Sequence, residues 1–134
     1  MKAMLESLAV AITSSAATSW WQSIGGRVYL NEAPGDTPLP LCVYQVASHS
    51  ITPAFTSGRR EVFEIEFTHF HAHSSGAAVA LESAEKLDAL LDDRSLTATG
   101  YDRVVLRSLS RGIAEMDDDA IRTTSRFRAI GTRT

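Results

Sequence analysis

Residues 59–91 constrain the fold of this chain more than any other stretch. Within them Phe63, Ile65 and Phe67 alternate with Glu64, Glu66 and Thr68. Successive side chains of a strand point to opposite faces, so this alternation predicts a half-buried strand over residues 59–70. A short polar break follows, and then Ala77, Ala80, Leu81, Ala84, Leu87 and Leu91 recur at helical spacing. That stripe predicts an amphipathic helix over residues 77–91, capped by Ser74 or Ser75, with Glu82 and Lys86 as an exposed pair. Phe63, Ile65 and Phe67 are expected to pack beneath Ala80, Ala84, Leu87 and Leu91. The small alanines let the helix lie close.

The remaining elements arrange themselves around this pair. Leu5, Leu8, Ala9, Ile12 and Ala16 give a second helical stripe over about residues 2–17. Trp20 and Trp21 follow, and Gly25-Gly26 ends the element. Adjacent tryptophans cannot both face one core, so one should pack and the other should stand at a contact surface, where tryptophan often anchors partners. Residues 27–30, 41–50, 103–110 and 121–130 read as further strands. Residues 31–40 hold three of the four prolines and form a loop. Residues 51–58 read as a long hairpin connection. The order α-β-β-β-α-β-β predicts one α+β domain over residues 1–134, a mainly antiparallel β-sheet of about five strands with two α-helices packed on one face.

A chain of 134 residues can bury a sizeable core in one domain. Its formal net charge of −3 supplies no global attraction to nucleic acid or to an anionic membrane. The lone Cys42 excludes an intramolecular disulfide and reads as a small buried residue. Residues 8–12 loosely mimic a signal peptide, but Glu6 interrupts the run. No apolar run approaches the ~18 residues of a membrane span. A soluble protein made inside the cell is expected.

Three constellations could carry chemistry. His69, His71 and His73 fall at every second position, and imidazole binds zinc, copper or nickel. Three alternate positions on a straight strand converge poorly on one ion, and Glu64 and Glu66 point to the opposite face. These histidines continue the Phe63–Phe67 face, so they read better as the frayed end of a strand at a subunit boundary. Serines are plentiful, but no nucleophile-elbow motif is present, and turns and caps account for them. Gly25-Gly26 and Thr56-Ser57-Gly58 do not form a phosphate cradle. The third constellation is charge. Arg122, Arg126 and Arg128 share one strand face and Arg59-Arg60 open another strand, while Glu64, Glu66, Asp117, Asp118 and Asp119 offer the complement. Such charges commonly form a solvated face or guard a sheet edge. Reciprocal acidic and basic surfaces would also suit a heterologous subunit contact that closes a ring.

Gly25-Gly26-Arg27-Val28-Tyr29-Leu30, then Ala33-Pro34, then Leu39-Pro40-Leu41-Cys42-Val43-Tyr44-Gln45-Val46-Ala47-Ser48 carry a resemblance. An N-terminal helix, a glycine-glycine-arginine step into a strand, a proline loop and this second strand resemble the tail completion (tail terminator) proteins of long-tailed bacteriophages and gene transfer agents. The likeness extends to the strand at 62–67, the helix at 77–91 and the Arg126-Phe127-Arg128 strand. The resemblance implies a non-enzymatic virion protein with no cofactor. It would form a homohexameric ring at the head-proximal end of the tail tube, in the neck of the virion. There it would stop tube polymerisation and contact the tube protein and a head-completion, stopper or connector protein. DNA would pass through the lumen without specific binding, and an acidic lumen would help, since phosphate affinity comes from Lys and Arg. Trp20-Trp21 and the His69–His73 run depart from the family pattern and could mark a partner contact. The candidate subunit or partner interface therefore comprises Trp20, Trp21, Arg59, Arg60, His71, Asp117, Asp118, Asp119, Arg126 and Arg128. Two readings compete: a small metal-dependent enzyme centred on His69, His71 and His73, and a binding module using Trp20 and Trp21.

Overall fold

The structure, a computed structural model, describes residues 2–14, 18–53, 59–116 and 119–133, apart from the side chains at 111 and 113. Two helices, α1 (Lys2–Thr13) and α2 (Ser19–Ser23), precede strands β1 (Val28–Leu30), β2 (Leu41–Pro53) and β3 (Arg59–His71). A single 3-10 turn, His73–Ser75, leads into α3 (Ala77–Leu91), followed by β4 (Ser95–Leu96), β5 (Tyr101–Met116) and β6 (Ile121–Arg133). The strands make one sheet in the order β1-β2-β3-β6-β5-β4. The α+β character expected from the sequence is present, but the sheet is larger and mixed. β1 pairs with β2 in parallel and every other pairing is antiparallel. Both unforeseen elements, α2 and β4, are too short to express a period.

β3 is one of the two central strands, and its odd-numbered residues from 61 to 71 are all buried. Phe67 stacks on Tyr44 at 5.5 Å between ring centroids and meets Phe127 edge-on at 5.6 Å. Leu87 and Leu91 of α3, and Met4, Leu8 and Ile12 of α1, close over this face. The buried side of α1 is Met4, Ser7, Leu8, Ala11 and Ile12, which moves its centre away from Leu5 and Ala9. Those two remain half-buried and line a shallow groove with Leu30 and Tyr44. Ala16, the last residue of the expected stripe, lies outside the described residues. α3 begins from Gly76, whose φ of 83° suits glycine, and neither Ser74 nor Ser75 caps it.

The glycine-glycine-arginine step has a physical basis. Gly25 and Gly26 adopt φ of 61° and 70°, and a Cβ on Gly26 would stand 2.8 Å from the Trp21 indole nitrogen. Arg27 then donates from Nε to the Pro40 carbonyl at 2.8 Å, tying the proline loop back onto the start of β1. The loop returns the chain alongside β1, which is how two strands so near in sequence come to run parallel.

Candidate functional site

The strand bearing the histidines does not fray. His69 and His71 are 0% and 1% exposed, on the inner face of β3. His73 leaves the strand in the 3-10 turn and is exposed, so the three rings do not converge. Among the described residues no group of three His, Cys, Asp or Glu side chains could hold a metal ion.

Hydrogen bonds fix the protons on both buried rings. The Trp20 indole N–H can only donate, so His69 Nε2 accepts it at 2.9 Å and carries its own proton on Nδ1. Ser23 Oγ donates to the Trp20 carbonyl at 2.7 Å, and Ser83 Oγ donates to Ser23 Oγ at 3.0 Å. Ser83 must therefore accept, and His71 Nε2 donates to it at 3.0 Å. Both rings are neutral. Burial pushes His69 down to about 3, with His71 beside it adding to the effect, and burial also lowers His71. Trp20 and His71 are thus corrected as interface candidates, because both are buried inside the subunit and joined to its own groups. Trp21 is half-buried and packs against the core edge.

A second buried polar cluster is centred on Glu61, near the start of β3. Glu61 is 1% exposed, with His49 Nε2 at 2.9 Å and Arg133 at 3.6 Å. The His49 ring stacks on Phe63 at 4.2 Å, and the Arg133 guanidinium lies 5.7 Å above the Tyr101 ring centre. Burial pushes the Glu61 carboxyl up; Tyr101, His49 and Arg133 more than offset it and leave it below its ordinary value. The Tyr101 hydroxyl and Glu61 Oε2 fall short of strict hydrogen-bond geometry, so the His49 bond and the Arg133 charge are the firmer contacts. Parity was the available signal, since Glu61 shares the odd-numbered face of Phe63, Ile65 and Phe67.

Among the described residues the opposite face of the sheet carries no helix. Here Glu64 lies across from Arg128 and Glu66 across from Arg126, at 3.5 Å and 3.0 Å between charged atoms. Arg122 pairs with Glu115 at 2.8 Å on the β5–β6 side. Glu64, Glu66, Arg122, Arg126 and Arg128 thus find partners of opposite charge within one chain. Glu64 and Glu66 do not form the bare acidic lining expected of a lumen. Arg59, Arg60 and Asp119 are exposed, whereas Asp117 and Asp118 lie outside the described residues. Because Arg126 is half exposed, Glu66→Gln should change unfolding free energy by less than about 1 kcal/mol in urea titration. A larger loss would mean that these pairs act as a rigid network.

At one end of this face the proline loop curls over an open groove of about 670 Å³ lined by Leu39, Leu41, Val43, Thr68, Phe70 and Asp119. Its walls are largely apolar. The sheet edges complete the surface, since β1 covers β2 only at residues 42–44 and β4 covers β5 only at 104 and 105.

No protein-family model and no curated protein matches the chain. Solved structures do. A chain from the virion of a native gene transfer agent particle superposes with a TM-score of 0.73 at 20% identity, covering 96% of each chain. The chain shares the fold of that virion chain. A second solved chain superposes with a TM-score of 0.67 at 14% identity, covering 99% of this chain and 95% of the other. The likeness is one of whole folds, from the first helix to the last strand.

Proposed function

We propose that this chain is a structural protein of a tailed-phage or gene-transfer-agent virion. It forms a ring at the head-proximal end of the tail tube, stops tube polymerisation and joins the tail to a head-completion protein. The observation that carries this reading is the full-length superposition on a gene transfer agent virion chain. It agrees with the resemblance in residues 25–48, which rests on separate features. The engagement of His69 by Trp20 and of His71 by Ser83 supports a non-enzymatic role. It also removes the geometry that a three-histidine metal site would need. DNA would cross the ring without specific binding, past a sheet face whose arginines are already paired with carboxylates.

Native mass measurement and electron microscopy, on the protein alone and co-expressed with its tail tube protein, provide the test. A closed ring, six subunits by the family pattern, is the expected result. A strictly monomeric protein under both conditions would overturn the proposal.

A further inference from the structure

Each outer long strand of the sheet is left half uncovered, on opposite edges and at opposite ends. Among the described residues, 46–53 of β2 and 109–116 of β5 have no strand on their outer side. The Cys42 amide bonds to the Arg27 carbonyl, which fixes the backbones of 42 and 44 outward and of 43 and 45 towards β3. A bulge between Val46 and Ser48 shifts this parity by one, so the backbones of His49 and Ile51 point away from the sheet. Natural edges are commonly blunted by charges, prolines or bulges; here the bulge at 46–48 and Pro53 bound the half-edge and leave 48–52 between them as the stretch free to pair. Residues 46–52 contain no Asp, Glu, Lys or Arg, and Ile51 is 50% exposed. On the other edge Leu109 and Met116 are 40% and 67% exposed.

Arginines stand at the end of one half-edge and carboxylates at the start of the other. Exposed Arg59 and Arg60 lie across the hairpin from Pro53 and Thr52. Asp92 and Asp93 stand where the other half-edge begins: Asp92 accepts the Ser108 amide, and Asp93 pairs with Arg107. Arg107 pairs with Asp93 and Arg94 donates to Ser14 Oγ, so Asp92, held by the Ser108 amide, is the carboxylate placed to meet a neighbour's arginine.

We propose that residues 46–53 of one copy pair antiparallel with residues 109–116 of the next, continuing the sheet head-to-tail around the ring. This rests on the ring reading and deepens it by naming the contact. Antiparallel pairing places Arg59 and Arg60 of one copy beside Asp92 and Asp93 of its neighbour. Parallel pairing would drive β1 of one copy into the neighbour's β5. Because the half-edges lie at opposite ends, adjacent copies are staggered and their strands tilt from the ring axis, the relation that closes a β-barrel. The contact is heterologous, so it can close a ring, whereas residues 46–53 paired with themselves would stop at a dimer.

The test is oxidative cross-linking of the full chain carrying Thr52→Cys and Leu109→Cys together, with Ile51→Cys replacing Thr52→Cys in a second variant to sample the other strand face. These positions lie on opposite edges of one subunit, and Cys42 is buried. The expected result is a ladder of covalent oligomers up to the ring size in at least one double variant, with single variants remaining monomeric on a non-reducing gel. Dimers from Thr52→Cys or Ile51→Cys alone would overturn the proposal in favour of two-fold pairing. An intact ring by native mass with no cross-link in either double variant would overturn the proposed contact and leave the ring reading standing. A wild-type monomer in the presence of tube protein would sink both.

Discussion

Replacing Trp20 with alanine is expected to destabilise the fold by about 3–5 kcal/mol, the range for deleting a large buried aromatic side chain. Trp20 is 1% exposed and belongs to the same core as Leu8, Phe67 and Leu87. Truncation leaves a cavity beneath α2 and strips His69 Nε2 of its donor at the same time. The two losses can be separated. Trp20→Phe keeps one aromatic ring in the core but loses the N–H together with part of the indole, so it should cost less than Trp20→Ala, with about 1–3 kcal/mol of it from the unsatisfied buried acceptor. Chemical denaturation with linear extrapolation reads both values. A loss below about 1 kcal/mol for Trp20→Ala would contradict the buried position of the indole. Trp21→Ala should cost less, because that ring is only half buried.

Acid should weaken this fold through two pH windows. His69 is held neutral in the folded state with its pKa lowered to about 3, whereas an unfolded histidine titrates near 6.5. Above the unfolded value neither state binds the proton, and the contribution to stability is complete. As the pH falls below it, only the unfolded chain is protonated, so stability declines by about 1.4 kcal/mol per pH unit for that residue until the folded value is reached. His71 is shifted in the same direction and adds to the decline. The groups facing these rings are Trp20, Ser83 and, across the ladder, Thr123, none of them a carboxylate that would hold a charged imidazole in place. Glu61 acts in a lower window. Its lowered pKa gives stability that is present above the ordinary carboxylate range and lost as pH falls through the folded value. Unfolding free energy measured from pH 7 to pH 4 should therefore fall throughout, and His69→Gln should flatten the upper part of the curve. A flat wild-type profile between pH 6.5 and 5 would contradict the neutral buried rings.

Much of the scaffold was legible because it follows single periods. The alternation of Phe63, Ile65 and Phe67 located β3, and the stripe ending in Leu87 and Leu91 located α3 with its observed limits. The side of each arginine on β6 was also readable, since Arg122, Arg126 and Arg128 fall on the parity opposite to Phe127 and Ala129. The candidate surface was less legible. Sequence spacing placed carboxylates and arginines on strands, but the strand neighbours decide whether they meet each other or another molecule. β3 lies beside β6 in a register that sets Glu64 against Arg128 and Glu66 against Arg126, and the apparent interface charges became internal pairs.

The histidines mark the division most clearly. Sequence alone determined that His69 and His71 share the face of the core phenylalanines, because strand parity is a local property of the backbone. It also determined the glycine turn, the proline loop and the apolar faces that need covering, since each depends on a few adjacent residues. Only the tertiary structure decided that α2 and α3 bring Trp20 and Ser83 over those rings. Only the sheet order decided that residues 46–53 and 109–116 are left uncovered. Hydrogen-bond partners and sheet edges are set by residues far apart in the chain, and no local pattern encodes which of them become neighbours.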